Sequence, residues 1–284
     1  MPLHSILSMN KLPNQWRLIQ SPAASATFNM ALDEALLSST ASKKSPPTLR
    51  LYSWNVPSLS LGYAQPFKDI DQAELTKRAW QLVRRPTGGR AILHTDELTY
   101  SITAPLDEPL VAGSLLESYQ RISIGLQKAL QLLGLLTFNE NQSGVPHDAS
   151  KNEPVCFQTP SNYEITWNGK KLIGSAQARK MGGVLQHGSL PLIGDLSRIT
   201  LVLAYPSQQE REKAAQRTLA QAATLAEATG KIFTWEETSD AIVNSFSNEF
   251  GISFVASLPT EEEMVIANEL VLTKYDSDSW NFRL

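Results

Sequence analysis

The 284-residue sequence is most informative at first for what it lacks. It has one cysteine, Cys156, so no intrachain disulfide can form and zinc sites of the Cys₂His₂ or Cys₄ kind are excluded. Neither charge sign dominates. Lys and Arg total 25 against 28 Asp and Glu, a formal net charge of −3, which argues against a general polyanion-coating protein and leaves room only for a local basic patch. No apolar run reaches the roughly 18 residues a membrane span needs. The first residues, MPLHSILSMNKLP, lack the basic start and the apolar length of a secretory signal. The four histidines show no HExxH or comparable spacing, so the sequence offers no metal site. The phosphate-binding pattern Gly-x₄-Gly-Lys-Ser/Thr is also missing. There is no repeat and no low-complexity tract. What remains is a soluble, cytoplasmic chain, 42% hydrophobic and 19% charged, able to bury a sizeable core.

Apolar spacing organises that chain. Phe28, Leu32, Ala35 and Leu36 recur at helical intervals and predict a helix over about 25–40, before the loop signal SKKSPP at 42–47. Within that helix, Asp33 and Glu34 read as a solvated face or a local pairing group. Alternation predicts strands over 48–54 and 58–63, with a helix over 69–80 and further strands at 80–84 and 97–103. Leu115, Tyr119, Ile122, Leu126, Leu130 and Leu133 step by threes and fours, which predicts a helix over 114–134 ending at Gly134. Residues 139–155 are polar and read as a long surface loop. Asn168-Gly169 between runs 162–167 and 170–178 is a hairpin signal, because both residues tolerate positive φ. Another strand is expected over 184–192. The last third reads as helical: 208–229, a helix capped by Thr234 and Glu237 and ending near Gly251, and one over 261–274 capped by Thr260 and Glu263. The class is α+β, a mixed β-sheet core flanked by helices with a helical C-terminal region.

Three segments hold residue types suited to chemistry. In Arg84–Arg90 (RRPTGGR), Gly88 and Gly89 let backbone N–H groups approach a ligand while Arg84, Arg85 and Arg90 complement an anion; a plain glycine turn with solvated arginines is the simpler reading. Cys156 stands where the long loop meets the hairpin. By residue type alone it is a small buried hydrophobe, but loops bordering a rigid sheet favour chemistry, and a nearby cation would make its thiol nucleophilic. In 169–177 (GKKLIGSAQ), alternation puts Lys171 on one face with Ile173 and Ser175, so the lysine is partly covered and is a candidate for charge stabilisation. His187 reads as a core histidine with one satisfied hydrogen bond.

Five motifs stand in a fixed order: RRPTGGRAILH (84–94), ELTYS (97–101), Cys-Phe-x-x-Pro-Ser-x-Tyr-Glu (156–164), GKKLIGSAQ (169–177) and LQHGS (185–189). With the tail Lys274-Tyr275…Trp280-Asn281, they resemble the biotin/lipoate protein ligase superfamily, and within it the LipM-type octanoyltransferases, from about Trp16 to Trp280. The resemblance implies a superfamily-like catalytic domain over 1–255 and a short helical extension, 256–284, packed on it. It implies transfer of octanoyl from octanoyl-acyl carrier protein to a lysine of a lipoyl domain, that of the glycine cleavage H protein or of a 2-oxoacid dehydrogenase E2 subunit. In that scheme Cys156 carries the acyl group as a thioester and Lys171 lowers its pKa. Arg85, Gly88, Gly89, Arg90, His94, Gly174, Ser175, Ala176, His187 and Gly188 are expected to bind substrate. No cofactor is implied, since thioester-to-thioester transfer is near neutral in energy, and neither nucleic acid nor membrane is an expected partner. A monomer is the default.

Two relatives within the superfamily differ in wording. Lipoate–protein ligases, which activate a free acid with ATP, typically carry Ser-Gly-Gly-Gly, His-Asp-x-Gly-Asn and Arg-Asn-Asp. This chain has Thr87-Gly88-Gly89-Arg90, His94-Thr95-Asp96-Glu97-Leu98 and Pro160-Ser161-Asn162-Tyr163 instead. Amidotransferases that move octanoyl between lipoyl domains usually place their cysteine in a Cys-Pro-Gly-Asp-type context, which Cys156–Pro160 does not match.

Overall fold

The computed structural model describes residues 14–135 and 165–283. Cys156, the 139–155 segment and the first three residues of the predicted 162–167 strand lie outside them. The strands are β1 (Asn14–Gln20), β2 (Thr48–Tyr52), β3 (Ser58–Leu61), β4 (Gln81–Arg84), β5 (Ile92–His94), β6 (Glu97–Pro105), β7 (Ile165–Trp167), β8 (Lys170–Lys180), β9 (Gly183–Pro191) and β10 (Ile252–Ala256). The helices are α1 (Ala26–Ala41), α2 (Gln72–Lys77), α3 (Leu115–Leu132), α4 (Gln208–Gln221), α5 (Leu225–Thr229), α6 (Trp235–Phe250), α7 (Glu261–Leu270) and α8 (Asp278–Asn281). Seven strands form one mixed sheet in the order β10-β1-β2-β6-β9-β8-β7, and β4-β3-β5 form a second. The class is α+β, as expected, with the strands divided between two sheets.

The large sheet has two unlike faces. Leu49 and Leu51 of β2 and Leu98, Tyr100 and Ile102 of β6 pack with Ile122 and Leu126 of α3 and Ile242 and Phe246 of α6 in one apolar core. The alternate residues, Arg50 and Tyr52 of β2 and Thr99 and Ser101 of β6, are equally buried, because α1 covers that side. Burying so many polar groups is tolerable only if they bond one another. Helix α1 is itself sandwiched, since α7 packs on its outer side. Asp33 and Glu34 are therefore buried, which corrects the solvated-face reading of this pair. Glu34 accepts from Lys274 Nζ at 2.8 Å and also bonds the Tyr275 hydroxyl.

Local signals place most turns. Asn168 and Gly169 take φ of 48° and 74°, the positive values of the tight hairpin turn between β7 and β8. Both capping boxes form, at Thr234/Glu237 and Thr260/Glu263, and Gly251 closes α6 in the left-handed region. Two predicted helices are interrupted. Residues 208–229 are not one helix. At Ala222 the backbone is extended, and the Ala223 N–H donates to the Lys171 carbonyl at 3.0 Å, so a tertiary bond to β8 replaces the helical ladder. The 69–80 helix shrinks to α2, preceded by a short 3₁₀ turn at Phe67–Asp69 and ended by Ala79 at φ 55°. Strands β1, β5 and β10 have no counterpart in the predicted elements. No described helix is long and apolar enough to cross a membrane.

Candidate active site

Between the two sheets, beside Met30 of α1, lies a narrow, tightly closed slot whose free space is about 20 Å³, room for about one water. The large sheet contributes Tyr52, Thr99, Gly174, Ser175, Ala176, His187, Gly188 and Ser189, and the small sheet and its loops contribute Arg85, Ile92 and His94. Trp54 completes the lining. Seven sequence-predicted binding residues thus meet in one place: Arg85, His94, Gly174, Ser175, Ala176, His187 and Gly188. They come together because β8 and β9 pair antiparallel, with Ser175 opposite Gly188 and Ala176 opposite His187.

Gly88, Gly89 and Arg90 do not line the slot, but they sit on a turn tied to it. Arg85 Nη2 donates to the Gly88 and Arg90 carbonyls at 3.1 and 2.9 Å. Gly89 has φ 92°, and its carbonyl passes so close to Gly62 that a Cβ there would lie 1.8 Å from the oxygen. The arginines differ from solvated turn residues. Arg84 is fully buried and donates to backbone carbonyls, including those of Gly62, Gln65 and Asn281 at 2.8, 2.6 and 2.9 Å.

Two hydrogen-bonded chains support the turn. In one, Asp33 Oδ2 is 3.2 Å from His187 Nδ1, and His187 Nε2 is 2.7 Å from Thr87 Oγ1. A carboxylate only accepts, so we assign the proton to Nδ1 and let the Thr87 hydroxyl donate to Nε2. His187 therefore makes two bonds where one was expected. In the other chain, Arg85 Nη1 donates to Ser60 Oγ at 2.7 Å, Ser60 Oγ lies 2.6 Å from His94 Nε2, and His94 Nδ1 lies 2.7 Å from Glu97 Oε1. Its ends are a group that only donates and a group that only accepts, so Arg85 donates to Ser60 and His94 Nδ1–H donates to Glu97. Thr99 Oγ1 donates to the same carboxylate at 2.6 Å, and the Ser189 hydroxyl also bonds it.

Charge follows from these contacts. Burial pushes the Asp33 carboxyl up, but the Arg50 guanidinium at 2.7 Å and the bonds from His187 and Ser101 outweigh it, so Asp33 stays below the usual carboxylate range. Burial likewise raises Glu97, and its His94, Ser189 and Thr99 contacts bring it below its ordinary value. Burial lowers His187 despite Asp33, which keeps the imidazole neutral at pH 7. Burial and the Asp33 charge push the Tyr52 phenol well up, so it remains a donor.

Lys171 is 4% exposed, on β8 three residues before Gly174, and opposite Thr166 of β7. It does not line the slot, but it lies on the strand that does. Its neighbour Lys170 reaches outward to Glu227 at 2.6 Å. The carboxylates Asp33 and Glu97 were not singled out among the sequence-predicted site residues. Acidic residues beside apolar ones at helical and alternating spacing carry no mark of what will cover them.

Comparison with known proteins agrees with this arrangement. Residues 25–247 match the family described as the lipoyl protein ligase A/B catalytic domain. The chain is 38% identical over 273 residues to an octanoyltransferase LipM of Brevibacillus brevis, covering 95% of this chain and 99% of that one. It is 39% identical over 271 residues to an octanoyltransferase LipM of Kyrpidia tusciae, covering 94% and 98%. Among solved structures, the bipartite lipoate protein ligase of Thermoplasma acidophilum superposes with a TM-score of 0.77 at 25% identity, over 94% of this chain and 96% of that one. With its five ordered motifs and its two-sheet core, the chain belongs to the lipoyl protein ligase A/B catalytic domain family.

Proposed function

We propose that this chain is an octanoyltransferase of lipoate biosynthesis, taking octanoyl from an acyl carrier protein thioester and delivering it to a lysine of a lipoyl domain. One observation carries the reading: a narrow, buried slot assembled from the RRPTGGR, SAQ and HGS segments, in a chain 38% identical over nearly its whole length to octanoyltransferases. Seven buried acyl carbons at about 0.8 kcal/mol each set an upper limit of about 5–6 kcal/mol for the chain's gross contribution to binding.

In the first step of the proposed reaction the Cys156 thiolate attacks the donor's thioester carbonyl. The new S–C bond forms, the old C–S bond breaks, and the carrier's sulfur leaves as a thiolate that takes up a proton. In the second, the acceptor lysine's neutral amine attacks the Cys156 thioester. It loses a proton, the amide forms and the cysteine returns to thiolate. Thioester-to-amide transfer runs downhill, so no nucleotide is consumed. Lys171, by its positive charge, favours the thiolate. Backbone N–H groups of the Gly88-Gly89 turn or the Gly174–Ala176 strand stabilise the oxyanion, and the two histidine chains keep that turn in place. In this reading residues 1–255 are the catalytic unit, 256–284 are an extension on it, and the enzyme acts as a monomer.

The test is intact-protein mass spectrometry after mixing the purified chain with octanoyl-acyl carrier protein, without ATP. A single octanoyl adduct is expected, released by hydroxylamine and absent from Cys156→Ala. Lack of an adduct, together with transfer that needs ATP, magnesium and free octanoate, would overturn the reading in favour of an ATP-dependent ligase.

A further inference from the structure

At the last residue of β8, cations and aromatic rings form a row. Arg283 Cζ stands 4.0 Å from the Tyr63 ring centroid and 3.9 Å from that of Trp280. Lys180 Nζ lies 5.7 Å from the Tyr63 ring, and Lys274 Nζ lies 4.2 Å from the Trp280 ring. The order is thus Lys180, Tyr63, Arg283, Trp280, Lys274, with each cation against a ring face or edge. Fully buried Arg84 ties the row together by donating to the carbonyls of Tyr63, Trp280 and Arg283 at 3.3, 3.1 and 3.0 Å. Glu34 balances Lys274, and a π turn over Val271–Tyr275 brings the Tyr275 hydroxyl to the same carboxylate. Among the described residues, Lys180 and Arg283 form no ion pair, and Arg283 Nε has no hydrogen-bond partner. Tyr63 is 45% exposed, so the row is open to solvent.

Like charges therefore crowd here. Burial lowers the Lys180 ammonium from its ordinary value; Glu34 opposes that, and Lys274 and Arg283 add to it. An anion held by Lys180 and Arg283 relieves the crowding. The arginines read from the sequence as anion partners do not serve, since Arg84 and Arg85 are committed to backbone carbonyls. Lys180 shares a face of β8 with Gly174, Ala176 and Ala178, and the first two of these line the slot. Ala176 and Lys180 stand about 13 Å apart along the strand, at about 3.3 Å per residue, and Ala178 leaves only a methyl group between them. An acyl carrier protein holds its thioester on a phosphopantetheine arm of about thirteen bonds from phosphorus to sulfur, about 15 Å when extended. An acceptor lysine is far shorter, so the span selects the donor. We propose that Lys180 and Arg283 are the binding site for the phosphodiester of the donor's arm, a role that rests on the transferase reading. The arm then lies over Ala178 and presents its thioester at Gly174–Ala176.

The test measures binding of 4′-phosphopantetheine and of pantetheine by isothermal titration calorimetry. The proteins are the wild-type chain, Lys180→Gln, Arg283→Gln, the double variant and Lys180→Arg. Alongside it, kcat/KM is measured for transfer from octanoyl-phosphopantetheine and octanoyl-pantetheine, which differ only in the phosphate. Hydrogen bonds to a charged group should make the wild type favour the phosphorylated form by about tenfold or more in both readouts. Each glutamine variant should lose most of that preference and the double variant all of it, while Lys180→Arg keeps it. The preference is a ratio, so a general loss of folding or activity does not imitate the result. A wild type without the preference overturns the inference, as does a double variant that retains it. Inorganic phosphate that binds as tightly as 4′-phosphopantetheine also overturns it, because the arm then adds nothing. The two readings fail separately. Absence of an octanoyl adduct sinks the transferase reading while the binding ratio still judges the site. An adduct without a phosphate preference sinks only the site.

Discussion

The Asp33→Asn variant probes the polar layer under the slot most directly. Asp33 is fully buried and accepts from Arg50 Nη1 at 2.7 Å, Ser101 Oγ at 2.8 Å, the Tyr52 hydroxyl at 2.9 Å and His187 Nδ1 at 3.2 Å. Asparagine keeps the volume and removes the charge. It leaves the Arg50 guanidinium, also fully buried, without its carboxylate, and removing one partner of a buried pair costs about 3–5 kcal/mol. Arg50 retains bonds to the Asn29 carbonyl and side chain and to Ser21, at 3.1, 2.7 and 3.0 Å, which places the cost near the lower end, about 3 kcal/mol. For a chain of this size that is a fall of roughly 6 °C in Tm. The assay is urea unfolding of wild type, Asp33→Asn, Arg50→Met and the double variant. A coupling energy above about 1 kcal/mol is expected, because both single variants already lose the shared interaction. Additivity within about 0.5 kcal/mol, or a loss below about 1 kcal/mol in Asp33→Asn, would refute the view that this pair is what makes the polar face tolerable.

Three further outcomes are expected. Gly62→Ala puts a methyl on the Gly89 carbonyl, so the turn must shift; transfer should slow at least tenfold while the melting temperature changes by only a few degrees, and unchanged kinetics would remove the turn from the mechanism. Stability should fall with acid in two stages, followed by urea midpoints between about pH 2 and 8. His187, lowered by burial, resists protonation in the fold, so its contribution is complete above about 6.5 and declines below; Glu97 and Asp33, held below their ordinary values, add a second loss as the pH drops through about 4.5 and lower. A His187→Asn variant should lose the first stage only. Lys171→Ala should raise the pH at which Cys156 reacts with iodoacetamide; an unchanged alkylation profile would end its proposed role.

Much of the local structure was readable from the chain because its causes are local. The amphipathic spacing of α3, the capping boxes of α6 and α7 and the Asn168-Gly169 turn each depend on a few neighbouring residues, and each formed. Segments whose state depends on distant partners were not readable. Strand β10 adds to β1 in parallel register across more than two hundred residues, with Trp16 beside Phe254. Ala222 leaves the helix for a bond to β8, although its neighbours favour helix.

The site divides along the same line. The sequence by itself singled out candidate segments, through their order and their resemblance to a known family, and so named Arg85, His94, Gly174–Ala176, His187 and Gly188, which the fold brings to one slot. Only the tertiary structure decided what stands behind them. Thr99, Ser101 and Arg50 alternate with apolar residues as they would on a strand with one solvated face, and Asp33 and Glu34 look like the wet side of a helix. Helix α1 is pressed onto that face and capped by α7, so the polar rows are sealed inside and must satisfy one another. Alternation reports that two faces differ; what covers each of them is a property of the assembled chain.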